Sequence, residues 1–236
     1  MTDSAVPVPG QNIVLDLDET LVSTKADGSV RKILQEPQTL DLRCRYYQFD
    51  LLDVMQTDIP GSGKAYQVAG FIRPGAPEFL KYCFTRFETV AVWSAGQDQY
   101  VKHMVDFLFR DLPRPDIVFS WPECQILPSG DYHKPIRHMG NTRPCIRHPI
   151  KLENTLSLDD RLDTFGIENP QNGILIPPYQ PKYTKQNLRR NDPALFQLIN
   201  WLELPEVKSS KDIRLLDKSR IFSLPLDIPK EYIYHC

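Results

Sequence analysis

The 236-residue sequence predicts an α/β fold, a mostly parallel sheet with helices on both faces and a small antiparallel β insertion. Two observations predict it. Short apolar runs alternate with segments whose apolar residues recur at helical spacing, and a stretch rich in Tyr, Phe and Val interrupts this alternation. We expect one domain at residues 12–205, with the insertion at about 36–72. An N-terminal tail (1–11) and a C-terminal extension (206–236) flank the domain.

The first half of the chain predicts two units of strand, loop and helix. Asn12–Leu15 is a short apolar run that ends in carboxylates, as expected for a buried strand. Residues 40–72, broken by a Pro-Gly turn, predict the antiparallel strands of the insertion. After them Pro77 opens an amphipathic helix, Thr89–Trp93 predicts the second strand, and another amphipathic helix follows Gly96.

The second half continues the alternation and ends less regularly. Strands are expected at residues 116–119, 155–158 and 173–176, with a hairpin at 125–133. Residues 137–149 mix His, Arg, Pro and Gly without periodicity, which is typical of a surface loop. Asp192 and Pro193 open a helix as N-cap and first helical residue, and a further helix is expected near 212–222. This order implies a parallel sheet whose ligands bind beyond the C-terminal strand ends.

Composition and charge exclude several classes of protein. The formal charge of -2 and the sequence pI near 6.2 come from interspersed charges, so we expect no direct nucleic-acid contact and no membrane surface. The sequence has no stretch of about 18 apolar residues that could span a membrane. Five widely spaced cysteines without a Cys-x-x-Cys pair argue against a disulfide framework. These features predict a cytoplasmic or nuclear protein.

Two pairs of carboxylates follow predicted strands. Asp16 and Asp18 come directly after the first strand, and their spacing lets both side chains point the same way. Asp159 and Asp160 follow a later strand in the same manner. Because like charges would drive one carboxyl of a pair to protonate, a bound divalent cation is the simplest way to keep both ionised. A solvated loop is the alternative.

The string from Asp16 to Val22, Asp-Leu-Asp-Glu-Thr-Leu-Val, resembles the Asp-x-Asp-x-Thr signature of phosphatases of the haloacid dehalogenase (HAD) superfamily. It is particularly similar to the FCP/SCP-type phosphatases of the RNA polymerase II C-terminal domain. The resemblance covers residues 12 to about 205. It implies a HAD-like Rossmannoid sheet and Mg²⁺-dependent removal of phosphate from serine or threonine side chains of proteins. Peptides like the C-terminal domain would be among the substrates.

The resemblance assigns roles to the residues that match the family motifs. Asp16 would take the phosphoryl group as nucleophile, and Asp18 would act first as general acid and then as general base. Ser94, after the second strand, would bind a phosphate oxygen, and Thr20 would help to hold the loop at the substrate. Lys134 would supply a fixed positive charge that balances the nucleophile and the phosphate.

Two lysines compete for that last role. Lys134 follows the predicted hairpin as the family lysine does, whereas Lys151 lies nearer to Asp159 in sequence. Lysines such as Lys151 are usually solvated, which favours Lys134. The pair Lys134-Pro135 departs from the small phosphatases of the family. However, the stretch from this pair to Leu202 resembles the family's ubiquitin-like-domain-containing phosphatases, which also have Lys-Pro.

The same resemblance implies a Mg²⁺ site. Asp16, Asp160 and Asp18, the last through its main-chain carbonyl, would bind the ion, since oxygen ligands suit a hard cation. Asp159 would orient a metal-bound water or hold Lys134.

The resemblance also implies that two further residues contact the substrate. Arg73 opens an Arg-Pro-Gly-x-x-x-Phe-Leu run that lies upstream of the second strand as in the family, and Tyr100 follows Ser94 by six residues. Each has a structural alternative. Arg73 could instead brace the loop beside Pro74, and Tyr100 could pack against the inserted strands.

Other functions stay open. His138, Cys145 and His148 suggest a zinc site, although a fourth ligand and regular spacing are missing. A binding or adaptor protein on the same fold would catalyse nothing, but such a protein would be expected to lose Asp16 or Asp18 first. A HAD phosphatase of a small metabolite or of a nucleic-acid end is the other enzymatic alternative. The expected partner is a phosphoprotein substrate, and the sequence predicts neither its identity nor the oligomeric state.

Overall fold

The computed structural model describes residues 10–26, 30, 42–52, 65–141 and 149–234. The strands in these ranges are β1 (Asn12–Leu15), β2 (Val22–Lys25), β3 (Tyr46–Leu52), β4 (Ala65–Ile72), β5 (Thr89–Trp93), β6 (Ile117–Phe119), β7 (Gln125–Ile126), β8 (Tyr132–His133), β9 (Thr155–Asp159) and β10 (Gly173–Leu175). The helices are α1 (Ala76–Arg86), α2 (Asp98–Leu108), α3 (Ile136–Met139), α4 (Lys185–Leu188), α5 (Ala194–Leu202), α6 (Pro205–Lys208) and α7 (Glu231–Tyr234). None of these helices has the length and apolar composition of a membrane span.

Five strands form the central sheet, in the order β10-β9-β1-β5-β6, and all neighbours are parallel. Leu15 at the end of β1 pairs with Val92 on one side and with Leu158 on the other. The carboxyl ends of β1, β5 and β9 therefore lie side by side at one edge of the sheet, where ligands bind in open α/β folds. The predicted α/β class is confirmed, together with the strands that carry the predicted site.

Helices cover both faces of the central sheet because its strands are apolar on both. Along β1, Ile13 and Leu15 pack into the main core with α1, α2 and α5. Val14 points the other way and packs with Trp93 of β5 and Ile136 of α3. Successive side chains of a strand alternate between faces, so a strand that is covered on both sides has a continuous apolar run.

The inserted strands form a separate antiparallel sheet in the order β2-β4-β3. β3 and β4 pair along their length, as expected for two strands joined by a turn, although the turn at 60–63 lies outside the described residues. β2, which no pattern in the sequence singles out, joins β4 as the third strand. The sheet packs on α2, where the rings of Tyr47 and Phe107 lie 5.6 Å apart. The boundaries of the insertion stay a prediction.

The helix before β5 begins where the sequence breaks the chain. Gly75 precedes α1 with φ 76°, a left-handed conformation that favours glycine. A Cβ at Gly75 would also lie 2.3 Å from the ring of Phe196, so a larger residue would require movement. α1 then buries Phe79, Leu80 and Cys83 on one face, as their spacing predicts.

The second half departs from prediction at two helical segments. α5 begins at Ala194 rather than at Pro193, which takes the N-cap position. Asp192 accepts a hydrogen bond from the Ala194 amide, but its carboxylate also pairs with Arg73 at 3.0 Å, so it serves two partners. The predicted loop at 137–149 overlaps α3, a single helical turn that buries Met139 against the sheet.

The helix expected near 212–222 is wrong. Within that range the structure has a 3-10 turn at Ile213–Leu215 followed by irregular chain. Asp212 and Asp217 each accept a hydrogen bond from the backbone amide two residues ahead, and such local bonds favour turns over a continuing helix. Ile221 is nevertheless buried in the main core, so the C-terminal segment packs against the domain. The domain boundary at 205 stays a prediction.

Candidate active site

The loop after β1 holds the two carboxylates of the Asp-x-Asp motif. The Asp16 amide donates to the Leu158 carbonyl at 3.0 Å, which extends the parallel pairing beyond β1. The chain then turns back, with the Leu21 amide donating to the Leu17 carbonyl at 2.8 Å. Within this turn Glu19 has φ 58°, a left-handed conformation that is uncommon outside glycine. Such strained turns persist where the surrounding structure determines them, often at functional sites.

A buried lysine joins the ends of β1 and β9. Lys134 Nζ donates to Asp16 Oδ1 at 2.6 Å and to Asp159 Oδ2 at 2.7 Å, and its side chain is only 4% exposed. Its backbone amide donates to the Thr164 carbonyl at 2.9 Å, which fixes this part of the chain beside β9. Lys151, the competing lysine, is exposed. Of the two, Lys134 is the one that contacts the predicted nucleophile.

Three carboxylates lie close enough to share a metal ion. Oxygen atoms of Asp16, Asp159 and Asp160 lie within 4.8 Å of one another. Together with Lys134 they form what we term the charged cluster, in which three negative charges face one positive charge when all four are ionised. Burial, opposed by Lys134, raises the pKa of Asp16, and burial reinforced by Asp159 raises the pKa of Asp160 to about 7. A divalent cation would offset the excess charge, and carboxylate oxygens suit Mg²⁺.

Asp18 and Asp159 were expected to take the other two roles at the metal site. The carboxylate of Asp18 is outside this group of oxygens, and the contact expected from its main-chain carbonyl stays a prediction. Asp159 holds Lys134, one of the two roles expected for it, and its Oδ1 accepts the amide of Arg161 at 2.9 Å.

Asp18 lies among hydroxyl groups. Its Oδ1 accepts hydrogen bonds from the Tyr100 hydroxyl at 2.5 Å and from Thr24 Oγ1 at 2.8 Å. Thr24 Oγ1 in turn lies 2.7 Å from the Tyr47 hydroxyl. We term Thr24, Tyr47 and Tyr100 the hydroxyl cluster. Burial raises the pKa of Asp18, and the hydrogen bonds from Tyr100 and Thr24 oppose this effect without cancelling it. The net shift favours the protonated carboxyl, the form that a general acid needs.

Ser94 borders the same cavity from the end of β5. Its amide donates to the Phe119 carbonyl at 3.2 Å, and its Oγ accepts the amide of Gly96 at 3.0 Å. A Cβ at Gly96 would lie 2.8 Å from the Tyr100 ring, so the loop passes close to that side chain. The cavity has a volume of about 350 Å³ and is lined by Asp16, Asp18, Glu19, Ser94, Ala95, Gly96, Tyr132, Lys134, Asp159, Asp160, Arg161 and Thr164.

The three residues expected to bind substrate lie outside this lining. Arg73 is buried and donates to the main-chain carbonyls of Thr20 at 3.1 Å and Pro177 at 2.9 Å. These contacts match the alternative in which Arg73 braces the loop. Thr20 is buried as well. Tyr100 is also buried, and its hydroxyl donates a hydrogen bond to Asp18. A direct substrate contact by any of the three stays a prediction.

Sequence reasoning missed several residues that reach the site. Thr24 and Tyr47 belong to β2 and β3, and only the fold brings them to the second aspartate. Arg161 lines the cavity and is held by Asp163 Oδ2 at 2.6 Å. Its place directly after the second carboxylate pair is the signal that could have identified it. No spacing in the sequence points to Thr24 or Tyr47.

The zinc alternative concerns residues that the structure covers only in part. Cys145 and His148 lie outside the described residues. His138 is exposed on α3.

A parallel sheet with an Asp-x-Asp loop, a buried lysine and a second carboxylate pair at its edge is a HAD-like arrangement. The chain belongs to the family of NLI interacting factor-like phosphatases, whose sequence model matches residues 11–214. This match confirms the resemblance drawn from the Asp-x-Asp motif. Among curated proteins, none matches the chain.

The solved structures that are similar to this chain include two of the phosphatase Fcp1. One is an arginine-to-alanine variant of the fission yeast RNA polymerase II CTD phosphatase Fcp1 bound to beryllium fluoride, with a TM-score of 0.55 and 22% identity, over 72% of this chain and 42% of that one. The other is Fcp1 described as an essential RNA polymerase II CTD phosphatase, with a TM-score of 0.52 and 16% identity, over 88% of this chain and 58% of that one. The match therefore spans about half the length of these structures, and at such identities it establishes the fold alone.

Proposed function

We propose that the chain is a Mg²⁺-dependent phosphoprotein phosphatase that acts on phosphoserine or phosphothreonine through a phospho-aspartate on Asp16. The observation that carries the proposal is the 2.6 Å contact of the Asp16 carboxylate with Lys134, in a cavity shared with Asp159 and Asp160. A carboxylate beside a fixed cation is suited to attack a phosphoryl group, since the cation offsets the charge of the incoming anion.

The reaction takes two steps. In the first, an oxygen of Asp16 attacks phosphorus, the bond from phosphorus to the serine or threonine oxygen breaks, and Asp18 gives its proton to that oxygen. In the second, Asp18 takes a proton from a water molecule as the water oxygen attacks phosphorus. The aspartyl oxygen–phosphorus bond then breaks, which releases inorganic phosphate and restores the Asp16 carboxylate. The raised pKa of Asp18 supports its role as the acid.

The remaining residues of the cavity would orient the phosphoryl group. Lys134 would hold the nucleophile in place and contribute its charge, and the Ser94 hydroxyl would donate to a phosphoryl oxygen. A hard cation bound by the carboxylates of the charged cluster would supply Lewis acidity toward the phosphoryl oxygens. The main-chain carbonyl of Asp18 is a further proposed ligand.

A protein is the substrate that the family and the inserted sheet favour. The two similar structures are named as phosphatases of the RNA polymerase II CTD, so phosphopeptides of that kind are the first class to test. A nuclear or cytoplasmic location would accord with such a substrate. Small phosphorylated metabolites and nucleic-acid ends are the competing substrates.

The test is phosphate release with and without Mg²⁺ from three substrates: an activated aryl phosphate, a panel of phosphoserine and phosphothreonine peptides, and nucleoside monophosphates. Asp16→Asn should lower kcat on every active substrate by at least about a thousandfold, because it removes the nucleophile. Asp106→Asn is the matched control, since this exposed carboxylate pairs with Arg114 at 3.1 Å outside the cavity lining. Acid quench and intact mass measurement should detect one added phosphoryl group on the native chain and none on Asp16→Asn.

Two results would overturn the proposal in different ways. A folded native chain that binds Mg²⁺ but releases phosphate from no substrate would favour a binding or adaptor function. Release from nucleoside monophosphates with no release from any phosphopeptide would keep the phosphatase and reject the phosphoprotein substrate.

A further inference from the structure

The hydroxyl cluster contacts Asp18 at a single oxygen. The hydroxyls of Tyr100 and Thr24 both donate to Oδ1, at 2.5 and 2.8 Å. Among the described residues, the side-chain hydrogen bonds to Asp18 all end on this atom. Because Asp18 also lines the cavity, Oδ2 is the oxygen left to meet a substrate.

The hydroxyl protons of Thr24 and Tyr100 can both be donated toward Asp18. When the acid proton of Asp18 is on Oδ2, Oδ1 is a carbonyl oxygen and can only accept. Thr24 and Tyr100, whose hydroxyl oxygens also lie 2.6 Å from each other, are both placed to donate to it. Having used its one proton, Thr24 can accept from Tyr47, whose hydroxyl lies 2.7 Å away. Hydrogen bonds aligned in such a chain polarise and strengthen one another.

The cluster connects three separate elements to the motif loop. Thr24 lies in β2, Tyr47 in β3 and Tyr100 in α2. Tyr47 and Tyr100 are buried, and their rings lie 5.9 and 6.0 Å from the ring of Phe49, which restricts their movement. The inserted sheet thus reaches the second aspartate through hydroxyl groups held in a packed aromatic environment.

We propose that Thr24, Tyr47 and Tyr100 are positioning residues that hold Asp18 by Oδ1 and thereby direct the proton on Oδ2 toward the leaving alcohol. The proposal rests on the proposed function, in which Asp18 is the general acid. As the bond from phosphorus to the alcohol breaks, the leaving oxygen takes the Oδ2 proton. The electron pair of that O–H bond stays on Asp18, and the donated hydrogen bonds stabilise the carboxylate that forms.

This role makes the effect of the cluster depend on the leaving group. A serine or threonine oxygen is a poor leaving group and needs a proton, whereas the phenol of an activated aryl phosphate leaves without one. Loss of the positioning bonds should therefore slow the transfer of the phosphoryl group from a phosphoserine peptide to Asp16 and spare the transfer from the activated aryl phosphate. A merely structural role of these residues would slow both reactions alike.

Thr24 offers a matched pair of variants for the test. Thr24→Val removes the hydroxyl at nearly constant volume, and Thr24→Ser keeps it. With the full chain and Mg²⁺, we expect Thr24→Val to lower kcat/KM on a phosphoserine peptide by about 10- to 100-fold, and kcat/KM on an activated aryl phosphate by less than about threefold. The ratio kcat/KM covers only the steps up to departure of the leaving group, so the later hydrolysis of the phospho-aspartate does not enter it. Thr24→Ser should recover most of the activity on the peptide.

Tyr183→Phe is the control beside the same sheet, where the ring of Tyr183 packs on β4. The Tyr183 hydroxyl lies 2.9 Å from Ser23 Oγ, next to Thr24 in β2. In the described residues, by contrast, the side-chain hydrogen bonds to Asp18 come from Thr24 and Tyr100. Removal of the Tyr183 hydroxyl should leave the ratio of peptide to aryl activity unchanged. A selective loss of peptide activity in this variant would show that the ratio responds to any lost hydroxyl, and it would overturn the proposal.

The outcomes separate the two proposals. If the native chain hydrolyses neither substrate, the proposed function fails. If the native chain is active and Thr24→Val changes both activities by the same factor, or changes neither, the positioning proposal fails alone. Should Thr24→Val not fold, as judged by its thermal transition, Tyr100→Phe provides the same comparison, because it removes the other hydroxyl on Oδ1.

Discussion

The two carboxylates of the Asp-x-Asp loop face two regions of different chemistry. Asp16 faces the charged cluster, where Lys134 contacts it at 2.6 Å and two further carboxylates lie nearby. Asp18, two residues on, faces the hydroxyl cluster, where its side-chain hydrogen-bond partners are neutral. Burial raises the pKa of both aspartates, but only Asp16 has a cation in direct contact and neighbours able to share a divalent ion with it.

This difference explains how the two aspartates of one short motif can take two roles, nucleophile and general acid. A contacting cation stabilises an ionised carboxylate, which is the nucleophilic form. Burial favours the protonated carboxyl, which is the acidic form, and the neutral hydrogen-bond donors on Asp18 offset this effect on its pKa only in part. The surroundings of the two aspartates, rather than their identity, would therefore divide the work between them.

Removal of the metal should have the largest effect on the charged cluster, because it leaves the carboxylates without the cation that offsets their charge. We expect chelation to lower kcat by at least about a thousandfold, and Mg²⁺ at a hundred times its Kd to stabilise the folded chain by about 2.7 kcal/mol. Asp160→Asn should lose most of the Mg²⁺-induced rise in Tm, measured by calorimetry. Asp111→Asn, an exposed carboxylate paired with Arg110, should keep it. An equal rise in Asp160→Asn would locate the ion elsewhere.

Lys134→Met sharpens the comparison because it removes the cation in contact with Asp16. Breaking a buried ion pair leaves uncompensated charge, so without metal the free energy of unfolding should fall by about 3–5 kcal/mol, and kcat by about 100-fold or more. Mg²⁺ should narrow the difference in Tm from the native chain, since it offsets the same carboxylates. Lys102→Met, at an exposed pair with Asp98, should leave Tm unchanged. A difference that Mg²⁺ widens would contradict this account.

Arg73 braces the loop that carries both aspartates, so its loss should affect the two regions equally. It is buried and donates to Thr20, Pro177 and Asp192. Arg73→Gln should lower the free energy of unfolding by about 3 kcal/mol, yet well below Tm it should change kcat on peptide and aryl substrates by the same factor, about threefold at most. Arg110→Gln is the exposed control. A selective rise in KM for the peptide would instead support a substrate contact by Arg73.

Tyr47→Phe should have the smallest effect and tests how far the hydroxyl cluster extends. The Tyr47 hydroxyl lies 2.7 Å from Thr24 Oγ1 and is one hydroxyl group removed from Asp18. We therefore expect kcat/KM on a phosphoserine peptide to fall by about three- to tenfold, with no change on the activated aryl phosphate. Tyr46→Phe is the neighbouring control, since its hydroxyl contacts Gln48. A larger loss than that of Thr24→Val would contradict the assignment of Thr24, rather than Tyr47, as the residue in direct contact with Asp18.

The parts of the site that lie along the parallel sheet could be predicted from sequence. Asp16, Ser94 and Asp159 each follow an apolar run, and a strand covered on both faces leaves that pattern wherever it occurs. Because parallel strands end at a common edge, the three runs also predicted that these side chains would lie together. The pattern failed near 212–222, where side-chain hydrogen bonds to the backbone outweigh apolar spacing.

The sequence by itself determined the strands of the central sheet that carry the site and the chemical groups at their ends, because both depend on local runs of residues. The tertiary structure decided which groups meet. Lys134 rather than Lys151 contacts Asp16, and Thr24 contacts Tyr100 although 76 positions separate them. Contacts between side chains on different elements depend on strand register and on the packing of the inserted sheet against α2. Strand register and this packing produce no periodic pattern in a single sequence, so the hydroxyl cluster could be recognised only in the folded chain.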